Sequence, residues 1–181
     1  MHEIHEAPYP IYALYDWRPS ESDMLSKLFL SMKGTAGKNR WQSFASNFLG
    51  KRLAQPMWED RPVRIVPAPS STGRKDHAYF WAESLADTLQ GEFANCLVKR
   101  APKHQRGASR DQRRRLRLNV SENYSDLSND WSSCLWIFAD DILTTGATAH
   151  AAYEALGSPP HFEVWVLGRR SLSCGASIDL L

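Results

Sequence analysis

Cysteine is scarce and never paired in this chain. Cys96, Cys134 and Cys174 lie far apart and are odd in number, without the close spacing that a zinc site or a disulfide framework requires. Reduced, structural thiols are the expectation. Long apolar runs are missing too, and no stretch of the sequence approaches the roughly 20 residues that span a bilayer. The opening Met1-His-Glu-Ile-His-Glu6 carries acids where a secretory leader needs positive charge, and no apolar stretch follows. A cytoplasmic protein with no membrane partner is expected. His2 and His5 do not form the His-Glu-x-x-His pattern of a metal-binding helix. Strong charge is absent as well: the formal net charge is +2 at pH 7, which points to no particular partner. No repeat, low-complexity tract or interdomain linker interrupts the sequence. The 181 residues, 43% apolar and 23% charged, therefore fit one soluble globular domain over 1–181.

The first part of the chain reads as helical. Ser20 or Ser22 can cap a helix carrying Met24, Leu25, Leu28, Phe29 and Met32 and ending near Gly34. Trp41, Phe44, Ala45, Phe48, Leu49 and Leu53 then recur at the period of one buried helical face. From residue 61 the texture changes to alternating strands and helices. Val63-Arg-Ile-Val66 is a short strand stopped by Pro67-Ala-Pro69. A helix over about 77–89 follows, with Phe80, Trp81, Leu85 and Leu89 on one side. Cys96-Leu-Val98 reads as a strand. Cys134-Leu-Trp-Ile-Phe-Ala139 is a continuous apolar run suited to a parallel strand covered on both faces. Thr148–Leu156 reads as a helix closed by Gly157, and Phe162–Leu167 as a last strand. This alternation predicts an α/β fold with a mainly parallel sheet, residues 1–60 forming a small helical hood and 61–170 the core.

The segment that carries most chemistry is Ala139 to Ala149. It leaves the carboxyl end of a buried strand, where ligands of open parallel sheets bind, and enters a helix. A Thr/Gly loop there exposes successive backbone N–H groups to an anion, and the helix N-terminus adds its dipole. Gly146 permits the tight path, and Thr144, Thr145 and Thr148 add hydroxyl donors. The segment is neither a Walker A loop, lacking Gly-Lys-Ser/Thr, nor a dinucleotide fingerprint, lacking Gly-x-Gly-x-x-Gly. Asp140 and Asp141 beside the loop would repel phosphate alone. They are accounted for if the ligand is a sugar phosphate whose vicinal diol they accept, and an aspartate there can also steer a ligand-bound magnesium ion.

Apolar strand, Asp-Asp, two apolar residues, Thr-Thr-Gly-Ala-Thr and helix resemble the phosphoribosyl pyrophosphate motif of the type I phosphoribosyltransferases. Arg64-Ile-Val-Pro67-Ala-Pro69 and the basic turn after it resemble the ComF-like branch of that superfamily, which carries Val-Pro-x-Pro after its first core strand. Where the branch usually continues Arg-Gly-Phe-Asn-Gln, this chain reads His77-Ala-Tyr79-Phe80-Trp81. Arg100, Gln105, Arg113 and Asn119 fall roughly on the branch's Arg…Gln…Arg…Asn pattern, and Tyr12, Tyr15 and Met32-Lys33-Gly34 resemble the segment before its core. The likeness covers roughly residues 10–170. The four-cysteine zinc ribbon of many members has no counterpart here, so no zinc site is expected.

The resemblance implies the type I phosphoribosyltransferase fold and displacement of pyrophosphate from the ribose anomeric carbon by a nitrogenous base, with Mg2+ on the diphosphate. Asp140 and Asp141 would hold the diol as the catalytic pair. Thr144, Thr145, Gly146, Ala147 and Thr148 would anchor the 5′-phosphate. Ser70, Ser71, Gly73, Arg74, Lys75 and Arg100 would meet the pyrophosphate, although the turn at 70–75 also reads as a solvated surface loop. No protein side chain is assigned to a metal, and Leu143 occupies the place where some members carry an acid that assists the base. Lys and Arg crowd residues 99–117, which fits a cation-supplying hood, a nucleic-acid contact strip or a solvated loop. ComF-like proteins are associated with DNA uptake. The alternative is therefore a non-catalytic module that binds a ligand, single-stranded DNA or DNA-uptake proteins, and an apolar hood or sheet edge leaves room for a homodimer.

Overall fold

The structure is a computed structural model and describes residues 2–4, 7–17, 27, 38–52, 61–70, 75–99, 118–124 and 132–170. Its strands are β1 (His2–Ile4), β2 (Ile11–Trp17), β3 (Val63–Pro67), β4 (Glu92–Phe93), β5 (Leu97–Lys99), β6 (Leu118–Val120), β7 (Leu135–Leu143) and β8 (Phe162–Arg170). Its helices are α1 (Lys38–Arg52), α2 (His77–Leu89) and α3 (Ala147–Ala155). The main sheet runs β1-β2-β8-β7-β3-β4. From β2 to β4 every neighbouring pair is parallel, and β1 alone is antiparallel. β5 and β6 form a separate antiparallel ribbon.

Alternation along β7 explains the layers. Leu135, Ile137 and Ala139 point to one face, where they join Trp41, Phe48, Trp81 and Leu85 of α1 and α2. Trp136 and Phe138 point to the other, with Ala149, Ala152 and Leu156 on and beside α3. Both faces of the strand are therefore dry, as its unbroken apolar run requires. Trp41, Phe48, Trp81 and Trp165 are among the largest fully buried side chains. The Phe48 ring stacks on Trp165 at 4.8 Å, and Trp81 Nε1 donates to the Trp165 carbonyl at 3.1 Å.

Local signals set the element ends. Asp76 caps α2 by accepting the Tyr79 N–H at 3.3 Å, and Gln90 ends it in the left-handed region at φ 54°. Gly91 then presses on β3: a Cβ there would lie 2.6 Å from Ile65 Cδ1 and 2.9 Å from the Val63 carbonyl oxygen. Among the described residues, no helix is long and apolar enough to cross a membrane.

Three sequence expectations need correction. Reading the first sixty residues as helical misses β1 and β2, and β2 pairs in parallel with β8 from Ile11↔Val164 to Trp17↔Arg170. Ile11-Tyr-Ala-Leu14 is fully buried and enters the sheet because both its faces are apolar. The helix expected over Met24–Met32 lies, but for Lys27, outside the described residues. The strand read at Cys96–Val98 is Leu97–Lys99 and sits in the small ribbon, while Glu92–Phe93 takes the place beside β3. Finally, the covered strand does not end at Ala139 but continues through the aspartates to Leu143. The helices expected around Trp41, over 77–89 and after Thr148, and the strand from Phe162, are present.

Candidate functional site

From β3 the chain crosses by α2 to β4 on one side, and from β7 by α3 to β8 on the other. β3 and β7 are neighbours, so their following loops part at the carboxyl rim and leave a crevice between them. The register fixes its floor: Pro67 pairs with Ala139, and the Ala68 N–H donates to the Ala139 carbonyl at 2.9 Å. A cavity of about 450 Å³ opens there, lined by Ala68–Ser70, Lys75, Asp76, His77, Ala78, Phe80, Lys99, Asp140, Asp141 and Thr148. A second, of about 560 Å³, adjoins it across the Pro67–Ser70 turn and adds Tyr79, Asn95, Leu97, Val98 and Ser121. Either volume is in the range of small-ligand sites. Both compartments share Ser70, Lys75, Asp76 and Lys99.

Asp140 and Asp141 are the last polar groups of β7 before the bend. The Asp141 N–H donates to Asp140 Oδ1 at 2.9 Å, and the Ile142 N–H to Asp141 Oδ1 at 2.9 Å. His77, at the start of α2, donates from Nδ1 to Asp141 Oδ2 at 3.1 Å. Its side chain is 18% exposed and that of Asp141 27%, enough access for a ligand but little for bulk water. Burial, then the negative charge of Asp141, push the Asp140 carboxyl well above the ordinary carboxylate range. Burial acts upward on Asp141 as well. Hydrogen bonds from His77 and Asp140, with the nearby imidazole, outweigh it and hold Asp141 below its ordinary value. Asp140 therefore holds its proton more tightly than an ordinary carboxylate and Asp141 less tightly. Neighbouring carboxyl groups offer several acceptor oxygens, which suits two adjacent hydroxyl groups.

The bend after β7 is built for close approach. Gly146 has φ 74° and ψ 0° at the N-cap of α3 and has no side chain of its own to cap it. Thr145 Oγ1 accepts the Ala147 N–H at 3.3 Å. Thr144, Thr145 and Ala147 are exposed and Gly146 half-buried, while Thr148 lines the cavity. The N-terminus of α3 follows the carboxyl end of β7, so the positive end of its dipole lies at that rim.

Of the residues expected to meet a second anion, Ser70 and Lys75 line both compartments. The Lys75 ammonium lies 4.5 Å from the Tyr79 ring centre, and its hydrogen bond to Tyr79, then the charge of that phenol, raise its pKa. Ser71, Gly73, Arg74 and Arg100 lie outside the described residues, as does the basic strip beyond Lys99. The structure adds groups that no motif marked: Asp76, Asn95, Ser121 and above all His77. Only its place in the first turn after a rim loop could have pointed to His77.

Among the described residues, no group of three or more His, Cys, Asp or Glu could hold a metal ion. Magnesium takes carboxylate and water oxygens, and Asp140 and Asp141 are carboxylates of the crevice that could steer an ion bound to a ligand. No protein-family model matches this chain, and no curated protein matches it.

Proposed function

We propose that the crevice binds phosphoribosyl pyrophosphate and that the protein transfers its phosphoribosyl group to a nitrogenous base, releasing pyrophosphate. One observation carries this reading: an aspartate pair near the carboxyl end of a central parallel strand is followed by a Thr-Thr-Gly bend at a helix N-terminus. A pentose 5-phosphate presents the matching groups, a vicinal diol and a dianion a few bonds apart. The mostly parallel sheet covered on both faces is compatible with the type I phosphoribosyltransferase fold.

In this reading Asp140 and Asp141 hold the diol, and the Thr144–Thr148 bend holds the 5′-phosphate. Ser70, Lys75 and Lys99, at the junction of the two compartments, face the pyrophosphate. Rate acceleration comes from holding the sugar in line and from cations placed where leaving charge develops. Magnesium carried by the diphosphate would neutralise part of its charge.

Titration calorimetry with phosphoribosyl pyrophosphate and Mg2+ tests the binding step. Heat is expected from the wild type, with at least a tenfold loss of affinity in the Asp140→Asn/Asp141→Asn double variant. A silent wild type sinks the proposal. Pyrophosphate release with a panel of bases then tests transfer.

A further inference from the structure

Among the described residues His77 is the one imidazole lining the crevice, and the proposed transfer gives it no task. Its Nδ1 is committed to Asp141 Oδ2 at 3.1 Å, and among the described residues it has no other hydrogen bond. The Trp41 ring, fully buried, tilts against it at 5.7 Å, and His77 itself lines the cavity. The ring is thus held at two points, while Nε2 has no hydrogen bond among the described residues. A carboxylate that fixes an imidazole through one nitrogen makes the other a directed proton acceptor and stabilises the imidazolium that results. The remaining charged groups around the cavity are Asp140 from β7, Lys75 and Asp76 from the loop before α2, and Lys99 from β5. Among these, the lysines are acids without a free lone pair, and Asp76 is engaged in capping α2.

Resting on the pentose-phosphate reading, we infer that His77 is a catalytic residue, the general base that deprotonates the attacking nucleophile. If Asp141 accepts a ribose hydroxyl, His77 stands one hydrogen bond beyond it, and the anomeric carbon is one bond from the hydroxyl-bearing carbon. The acceptor's nitrogen forms the new bond to that carbon while the carbon–oxygen bond to pyrophosphate breaks, its electron pair leaving with the pyrophosphate. The acceptor's N–H proton passes to His77 Nε2. The base thus comes from the helix after β3, where the end of β7 offers Leu143.

The test uses the full chain and two variants. In His77→Asn the amide reproduces the Nδ1 donor to Asp141 but has no basic nitrogen, whereas His77→Ala removes both. Nitrogen NMR of the wild type with ribose 5-phosphate and each base of the panel is expected to shift the Nε2 resonance while Nδ1 stays protonated. His77→Asn should keep ribose 5-phosphate affinity within about twofold. Its pyrophosphate release from phosphoribosyl pyrophosphate, with water or a base as acceptor, should fall about 10²–10⁴-fold, as far as in His77→Ala. An unmoved Nε2 signal, with ligand shifting the amides of residues 144–148, overturns the inference and leaves the pentose-phosphate reading standing. Near wild-type turnover in His77→Asn also overturns it and makes His77 a positioning residue for Asp141. If no amide responds to ligand, the pentose-phosphate reading fails and this inference with it.

Discussion

Asp140 and Asp141 are consecutive residues whose carboxyl groups are displaced in opposite directions, Asp140 upward by burial and its neighbour's charge, Asp141 downward through His77 and Asp140. The asymmetry follows from the strand. Successive side chains leave it on opposite faces, so only Asp141 meets the start of α2, whereas Asp140 is left with its neighbour.

Asp140 should therefore cost stability at neutral pH. Its folded-state pKa is raised, so its contribution is complete below the unfolded value, near pH 4, and is lost as pH rises through the folded value. Asp140→Asn keeps an oxygen for the Asp141 N–H and removes the ionisation. Thermal unfolding should show a higher Tm than wild type at pH 7, by about 2–4 °C for each kcal/mol gained, and a difference that shrinks toward pH 4. Ligand affinity should fall in the same variant.

Asp141 carries the opposite sign. Its folded-state pKa is lowered, so its contribution is present above the unfolded value and lost as pH falls through the folded one. Asp141→Asn is expected to destabilise by about 1–3 kcal/mol at pH 7, measured by denaturant unfolding, with the penalty fading in acid.

Glu163 is buried on the face covered by α1 and α2 and accepts from Trp165 Nε1 at 2.7 Å. Glu163→Ala should cost about 1–3 kcal/mol by stranding the indole donor. Glu163→Gln, which keeps an acceptor, should cost less, and equal losses would exclude the hydrogen bond as the cause.

Two glycines should separate space from backbone conformation. A Cβ at Gly146 meets nothing within 4 Å, but φ is +74°, so Gly146→Ala should cost about 1–2 kcal/mol through conformation alone. Gly146→Asn should recover part of that. Gly91→Ala instead drives a methyl onto the Val63 carbonyl and Ile65, an overpacking expected to cost about 1–3 kcal/mol that Asn cannot relieve. Chemical denaturation of the four variants distinguishes the two cases.

Much of the core was legible because its signals are local. Trp136 to Ala139 is apolar without a break since both faces are covered, and Thr144–Thr148 combines a glycine with hydroxyls at a strand-to-helix junction. What escaped depends on distant partners. Ile11–Trp17 carries tyrosines and an aspartate, and its standing as a strand comes from β8 far along the chain. Glu92–Phe93 is only two residues long and is held by pairing to Arg64 and Ile65. His77 follows no motif, since its meaning comes from Asp141, 64 residues later.

The pairing of β2 with β8 also constrains how the molecule is made. A ribosome releases Ile11–Trp17 first, and its partner Val164–Arg170 emerges only after the whole segment between them has been synthesised. Until then the tyrosines of that segment have no sheet to enter, and closing so long a loop slows assembly. A nascent or truncated chain that stops before residue 162 would therefore lose β8 and leave β2 without its neighbour, exposing apolar strand edges to aggregation or a chaperone.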